Sequence, residues 1–196
     1  MKSFPSPKVL TTGVCALIGL GLWTVSGCRN QSLGIRDEAT HLRTPYFPRI
    51  SSENLNKEPI TLPDDLKGQP ALLLIAYRQH QQENVNTWLG HLDTIEEQIP
   101  GVRVLELPTI SSRSWGWMAG FIDGGMRSGI PDPAARARTV TLYTDVSLFN
   151  QALMIEETDT IHAVLLDQDS RVVARVDGDF SDEKLRQLSD QLRGTP

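Results

Sequence analysis

Cysteine is the residue type best suited to redox chemistry, and its placement restricts what this chain can do. The 196-residue sequence has two cysteines, Cys15 and Cys28, and no thiol follows residue 28. Disulfide exchange and peroxide reduction both proceed through a cysteine thiolate. We therefore expect no thiol oxidoreductase or peroxidase activity from the residues after Cys28, unless a partner supplies the sulfur.

Histidines are the next residues with chemical potential, and they are scattered along the chain. The four are His41, His80, His91 and His162. They show no ligand spacing such as His-x-x-x-His, and a thiolate zinc site would need cysteine. No phosphate-binding loop or dinucleotide fingerprint is present either. The sequence predicts no metal site and no cofactor, with a metal site assembled from distant residues as the alternative.

The least ordinary segment of the sequence runs from residue 115 to residue 126. It contains two of the four tryptophans and two of the four methionines, with one charged residue. Read as a helix, it is apolar around most of its circumference, with Trp117 and Phe121 opposite a larger apolar face. That larger face consists of Trp115, Met118, Ala119, Ile122 and Met126.

An apolar helix of this kind must be covered on more than one side, which leaves two alternatives. The segment packs into the core of its own domain, or it docks onto a partner or the membrane interface. Arg127 is one of four arginines that bracket the segment and suit an acidic partner or lipid phosphates. The candidate partner-binding residues are Trp115, Trp117, Phe121, Met126 and Arg127.

The N-terminal segment has the organisation of an export signal. Lys2 and Lys8 precede an uncharged, largely apolar stretch from Val9 to Val25, which is too short for a typical spanning helix. The tetrapeptide that ends at Cys28 resembles the bacterial lipobox, which implies cleavage after residue 27 and acylation of Cys28. The alternatives are an uncleaved signal anchor and an ordinary secretory signal.

The lipobox resemblance also implies a location. The residue after Cys28 is Arg29, and the pattern that retains such lipoproteins in the inner membrane has an aspartate there. We therefore expect a bacterial envelope protein, anchored by lipid to the outer membrane and facing the periplasm. The formal net charge is −5, which gives no electrostatic basis for binding nucleic acid.

The chain length fits one domain with appendages. We assign residues 1–27 to the signal peptide, 28–50 to the lipidated cysteine and a polar tether, and 51–194 to one domain. Residues 111–138 form an insertion in that domain. An alternative for the end of the tether is an extended segment packed on the domain through Tyr46, Phe47 and Ile50.

Hydrophobic periodicity predicts an alternation of strands and helices. Residues 71–77 form a continuous apolar run, typical of a strand buried on both faces. A helix capped by Asn84 and ended by Pro100 should follow, then a strand over residues 102–107 closed by Pro108. The remaining predicted elements are a strand at 140–143, a helix at 146–154, a hairpin of 161–166 with 172–176, and a last helix capped by Ser181.

This order of elements resembles the thioredoxin-like fold in its peroxiredoxin and extracytoplasmic thioredoxin variants. The resemblance covers residues 48–192 and is carried by residues 59–70, which lead into the first buried strand, and by the hairpin residues 163–178. It implies a three-layer α/β sandwich with a helical insertion between the second and third main strands.

The chemistry of the thioredoxin-like family does not carry over with the fold. Redox members place a cysteine between the first buried strand and the next helix, and a cis-proline just before the hairpin strand. Here the loop at residues 78–82 reads Arg-Gln-His-Gln-Gln, and residues 159–163 contain no proline. A fainter resemblance, from the element spacing over residues 102–178, is to thioredoxin-like assembly factors of the mitochondrial ATP synthase, which also lack the redox cysteines.

The sequence therefore predicts a redox-inactive, thioredoxin-like periplasmic lipoprotein that acts by protein binding, as an accessory or assembly factor. Its expected partners are membrane lipid through acylated Cys28 and an envelope protein. The alternative is a non-thiol enzyme, or a small-molecule or metal carrier, that uses a cleft near Arg78 and His80. Asp123 is a further participant in the enzyme alternative.

Overall fold

The structure is a computed structural model that describes residues 46–194, all within one compact unit. The predicted signal peptide, Cys28 and most of the tether lie outside the described residues. This part of the chain contains seven strands and seven α-helices. The strands are β1 (Ile50–Glu53), β2 (Pro59–Leu62), β3 (Ala71–Ala76), β4 (Arg103–Ser111), β5 (Leu142–Thr144), β6 (His162–Leu166) and β7 (Val172–Asp177). The helices are α1 (Gln82–Leu89), α2 (Leu92–Gln98), α3 (Ser112–Trp115), α4 (Ala119–Gly129), α5 (Pro133–Arg138), α6 (Val146–Leu153) and α7 (Asp182–Gly194).

The central sheet has five strands in the order β5-β4-β3-β6-β7. β3 lies in the middle, pairs parallel with β4 and antiparallel with β6, and is buried along its whole length. This burial explains the unbroken apolar run that predicted it. Helices cover both faces of the sheet, so the predicted three-layer α/β sandwich is confirmed.

One face of the sheet is covered by α1, α2 and α7, which contribute large apolar side chains to one core cluster. Trp88 of α1 and Leu188 of α7 are fully buried there. The Trp88 indole Nε1 donates to the Gly178 carbonyl at 3.0 Å, so this buried donor is satisfied. Full burial of a side chain of this size contributes several kcal/mol to the stability of the layer.

The opposite face is covered by α6 and by the antiparallel β1–β2 hairpin. Phe149 of α6 meets Phe47 edge to face, with ring centroids 5.6 Å apart. Phe47 is 3% exposed and belongs to the same core cluster as Phe149. Phe47 and Ile50 therefore pack on the domain, as in the second of the two alternatives for this segment, whereas Tyr46 is 60% exposed.

The helix predicted from Asn84 to Pro100 is two helices. α1 ends at Gly90 and α2 begins after His91, while the apolar side chains of both keep their spacing towards the sheet. Asn84 does not cap the helix, because α1 begins at Gln82. The Asn84 side chain instead donates to Asp179 Oδ1 at 2.6 Å.

The strand predicted at residues 102–107 continues past Pro108 to Ser111. Pro108 is tolerated because β4 changes its pairing partner at this point. Ala76 opposite Pro108 is the last β3 residue in the ladder, and Thr109 begins the parallel pairing with β5. Pro108 is therefore the last β4 residue in the ladder with β3 and directly precedes the first residue paired with β5.

Candidate functional site

Both surfaces that the sequence singled out lie at one edge of the sheet. β3 and β4 are parallel, so their carboxyl ends meet at the same edge. The loop after β3 carries Arg78 and His80, and the chain after β4 enters the insertion at Ser112. This edge is therefore where a functional site is expected.

The backbone of the loop after β3 is held in place by the buried side-chain amide of Gln81. Gln81 is 1% exposed, and its Oε1 accepts from the Tyr77 backbone N–H at 2.7 Å and from that of Arg78 at 3.2 Å. Its Nε2 donates to the Thr158 carbonyl at 2.8 Å. The Gln81 side chain therefore holds the backbone of this loop through both its oxygen and its nitrogen.

Arg78 and His80 do not form a built site. Both are exposed, and Arg78 forms a solvent-exposed ion pair with Asp159 at 2.8 Å, an interaction of small net energy. The His80 side chain makes no hydrogen bond or ion pair with any residue in the part of the chain that the structure describes, and only its backbone carbonyl accepts one, from the Gln82 N–H. Asp123, the third residue considered, accepts a hydrogen bond from Tyr143 and not from the loop.

A polar cluster that sequence reasoning missed lies beside this loop. His162 is 3% exposed, its Nδ1 lies 2.6 Å from Asp177 Oδ1, and its Nε2 lies 2.8 Å from the Glu157 carbonyl. The Tyr77 hydroxyl donates to Asn150 Oδ1 at 2.7 Å, and burial raises the pKa of Tyr77. Both nitrogens of the His162 ring face protein acceptors, so the ring has no free position for an external substrate.

No metal centre forms in the described range. Among residues 46–194, no three side chains of the histidine, cysteine, aspartate or glutamate type come together in a way that could hold an ion. The structure therefore offers no support for the metal-carrier alternative within these residues.

The insertion carries three of the six large apolar side chains that are exposed among the described residues; the other three are Tyr46, Leu148 and Met154. Between Ser112 and Arg138 none of the residues is buried. Trp117 is 82% exposed, Phe121 78% and Trp115 51%. Packing into the domain core, one of the two alternatives for this segment, is therefore wrong for these three side chains.

The opposite face of the insertion holds it on the domain by polar contacts. The Tyr143 hydroxyl of β5 lies 3.0 Å from Asp123 Oδ1 and 3.2 Å from the Ala119 carbonyl, and its single proton serves one acceptor at a time. Partial burial, and then the hydrogen bond with Asp123, raise the pKa of Tyr143. The Met126 sulfur accepts from Thr141 Oγ1 at 3.9 Å, so Met126 faces the domain and not the exposed aromatic side.

Across residues 46–194, no helix combines the length and the apolar character needed to cross a membrane.

Comparison with solved structures identifies the fold. The chain superposes on a candidate electron transfer protein of Aquifex aeolicus VF5 with a TM-score of 0.54 at 16% identity, covering 77% of this chain and 98% of the other. It superposes on copper-bound ScoI of Arabidopsis thaliana with a TM-score of 0.51 at 12% identity, covering 76% and 99%. The exposed lipoprotein thioredoxin Etrx1 of Streptococcus pneumoniae gives a TM-score of 0.46 at 13% identity, covering 74% and 100%.

The strand order and the first two of these superpositions define a thioredoxin-like fold, as the sequence resemblance implied. At identities below 20% the likeness concerns the fold alone. No protein-family model and no curated protein matches the sequence. The function must therefore be argued from the residues of this chain.

Proposed function

We propose that this chain is a redox-inactive, thioredoxin-like lipoprotein of the bacterial envelope that acts by binding an envelope protein, as an accessory or assembly factor. The observation that carries the proposal is the exposure of Trp117 and Phe121 on an insertion without a single buried residue. Tryptophan and other aromatic side chains supply much of the binding energy at protein interfaces.

The absence of a thiol after Cys28 supports the redox-inactive part of the proposal. No cysteine follows residue 28, and the amide of Gln81 occupies the interior of the loop where thioredoxin-like enzymes have their thiolate. His162 is buried beside this loop, and its two ring nitrogens contact Asp177 and the Glu157 carbonyl. No contact among the described residues favours an enzyme or a carrier at Arg78 and His80.

The envelope location rests on the sequence pattern at residues 1–28, which lies outside the described residues. Acylation of Cys28 would hold the domain at a membrane surface and confine its partners to the same compartment. Metabolic labelling with a fatty-acid analogue tests this part separately. We expect label in the wild-type chain and none in Cys28→Ser, and equal labelling of the two would contradict the anchor.

Affinity purification of the full, anchored chain tests the binding function. We expect the double variant Trp117→Ala with Phe121→Ala to lose specific co-purifying envelope proteins. Met154→Ala is the matched control, because Met154 is 62% exposed but lies at the end of α6, outside the insertion. An unchanged set of proteins with the double variant, or equal losses with the control, would overturn the proposal.

A further inference from the structure

The polar cluster around His162 attaches a loop to the edge of the sheet. This loop, residues 154–161, connects α6 to β6. His162 Nε2 lies 2.8 Å from the Glu157 carbonyl, and Arg175 Nη1 donates to the Met154 carbonyl at 2.7 Å. The position of Glu157 in this loop therefore depends on the state of the His162 ring.

Both contacts of the His162 ring require an N–H group. Nδ1 lies 2.6 Å from Asp177 Oδ1, and Nε2 faces the Glu157 carbonyl oxygen. A carboxylate oxygen and a carbonyl oxygen accept hydrogen bonds and donate none. A neutral imidazole has one N–H group, whereas an imidazolium has two. The protonated ring therefore satisfies both contacts, and the neutral ring satisfies one.

Loss of the second proton breaks the contact with Glu157 rather than the contact with Asp177. The Asp177 contact is the shorter of the two, and its acceptor carries a formal negative charge. The remaining proton therefore stays on Nδ1, and Nε2 turns a lone pair towards the Glu157 carbonyl oxygen. Two lone pairs at this distance repel each other. Because the His162 ring is 3% exposed and is carried by a strand of the central sheet, the loop is the part that moves away.

The other charged and titratable groups around the imidazole are of types that ordinarily keep their charge between pH 5 and 8, where a histidine changes its own. Tyr77 of β3 meets the ring edge to face, with ring centroids 6.0 Å apart, and burial raises the pKa of Tyr77. Asp177 and Arg175 approach from β7, and Arg175 Nε lies 3.5 Å from Asp177 Oδ1. Glu157 is exposed, and α6 contributes the neutral Asn150 through its hydrogen bond with Tyr77.

We infer that His162 is a pH-sensitive switch: its protonated ring attaches residues 154–161 to the sheet, and loss of one proton as the pH rises releases this loop at Glu157. The stabilising contribution of the contact is present at low pH and is lost at high pH. The switch acts at the candidate edge, because Gln81 of the loop after β3 donates to the Thr158 carbonyl of the same loop. The inference rests on these contacts and is independent of the proposed binding function.

Limited proteolysis of the full chain tests the release of the loop. Glutamyl endopeptidase cleaves after Glu156 and Glu157 when the loop opens, and mass spectrometry identifies the fragments. Each cleavage rate is divided by that of a synthetic peptide of residues 150–165 at the same pH, which removes the pH dependence of the protease. We expect this ratio to rise about tenfold from pH 5 to pH 8, because the loop loses a hydrogen bond with a charged donor. A ratio that does not change with pH contradicts the inference.

Nitrogen-15 NMR of the imidazoles measures the proton positions. The His162 signals are assigned by their absence in His162→Gln. We expect protons on both ring nitrogens at pH 5 and on Nδ1 alone at pH 8. A neutral ring with its proton on Nε2 contradicts the inference, because that ring would keep its contact with Glu157. A ring whose charge does not change over this range contradicts it as well.

Asp177→Asn separates the switch from the contact itself. The new side-chain NH2 group can donate to Nδ1, so the single proton of the neutral ring lies on Nε2 and bonds the Glu157 carbonyl. We expect the loop to stay protected at pH 8 and the proteolysis ratio to lose its pH dependence. Asp190→Asn is the matched control, because Asp190 is an exposed carboxylate paired with an arginine in α7. The inference is wrong if Asp177→Asn keeps the wild-type pH dependence or if Asp190→Asn loses it.

His80→Gln tests the other histidine at this edge. His80 is exposed in the loop after β3, so it is the alternative source of a pH effect in the same range. We expect this variant to retain the wild-type rise in the proteolysis ratio. Loss of the rise in His80→Gln would assign the effect to His80 and overturn the inference.

Discussion

Two tryptophans in this molecule lie on helices near the same sheet and have opposite environments. Trp88 of α1 is fully buried, whereas Trp117 in the insertion is 82% exposed. The layer of α1, α2 and α7 has apolar residues on one side of each helix, so one contact with the sheet satisfies them. The insertion is apolar around most of its circumference, so packing one side leaves the other uncovered. The first layer therefore serves stability, whereas the insertion leaves large aromatic side chains exposed to solvent.

The largest expected effect is a difference in unfolding free energy between the alanine variants of the two tryptophans. Trp88→Ala should lower the free energy of unfolding by about 3–5 kcal/mol, because it leaves a large cavity and an unpaired Gly178 carbonyl. Trp117→Ala should change it by no more than about 0.5 kcal/mol. Urea unfolding followed by circular dichroism measures both. Losses of similar size would mean that the insertion contributes to the core, and the comparison would fail.

The next prediction contrasts buried and exposed residues within the loop after β3. Gln81→Ala should cost about 2 kcal/mol, because it leaves two backbone N–H groups and the Thr158 carbonyl without their partner. His80→Ala, one residue away and exposed, should cost no more than about 0.5 kcal/mol. The same urea titration measures the free energy of unfolding of both variants. A His80 variant as unstable as the Gln81 variant would give His80 a role that its contacts do not show.

The smallest effect concerns the attachment of the insertion to the sheet. Tyr143→Phe removes the hydroxyl that bonds Asp123 and should cost about 1 kcal/mol, with faster amide exchange confined to α4. Hydrogen exchange monitored by mass spectrometry measures this difference. Faster exchange spread over α1 and α7 as well would show that the two regions are not independent.

The same variant has a pH signature. The pKa of Tyr143 is raised on folding above its ordinary value of 10.0, so its stabilising contribution is fully present below pH 10.0 and is lost as the pH rises further. Tyr143→Phe should therefore show a smaller alkaline loss of stability than the wild type. An equal fall in stability above pH 10.0 in the two proteins would indicate that the Tyr143 hydroxyl is not partly buried as described.

The elements predicted correctly are those whose pattern is local and one-sided. β3, the β6–β7 hairpin and α7 follow from an apolar run, a turn sequence and an amphipathic stripe with a serine cap, where Ser181 Oγ accepts from the Lys184 N–H. The break at Gly90 escaped prediction because the apolar spacing continues across it. His162 escaped because its partners Asp177 and Glu157 belong to other segments that only the fold brings together. Exposure of the insertion could not be predicted, since its pattern has no preferred side.

The insertion is also the only covalent link between β4 and β5, and this position has an evolutionary consequence. β4 and β5 are parallel, so the chain must cross over between them with a connection of a dozen residues or more, whatever its sequence. The fold thus requires that a connection exist but uses none of its side chains in the core. Mutations on the outer side of this connection can change the exposed surface of the protein while the sheet and its two core clusters remain as they are.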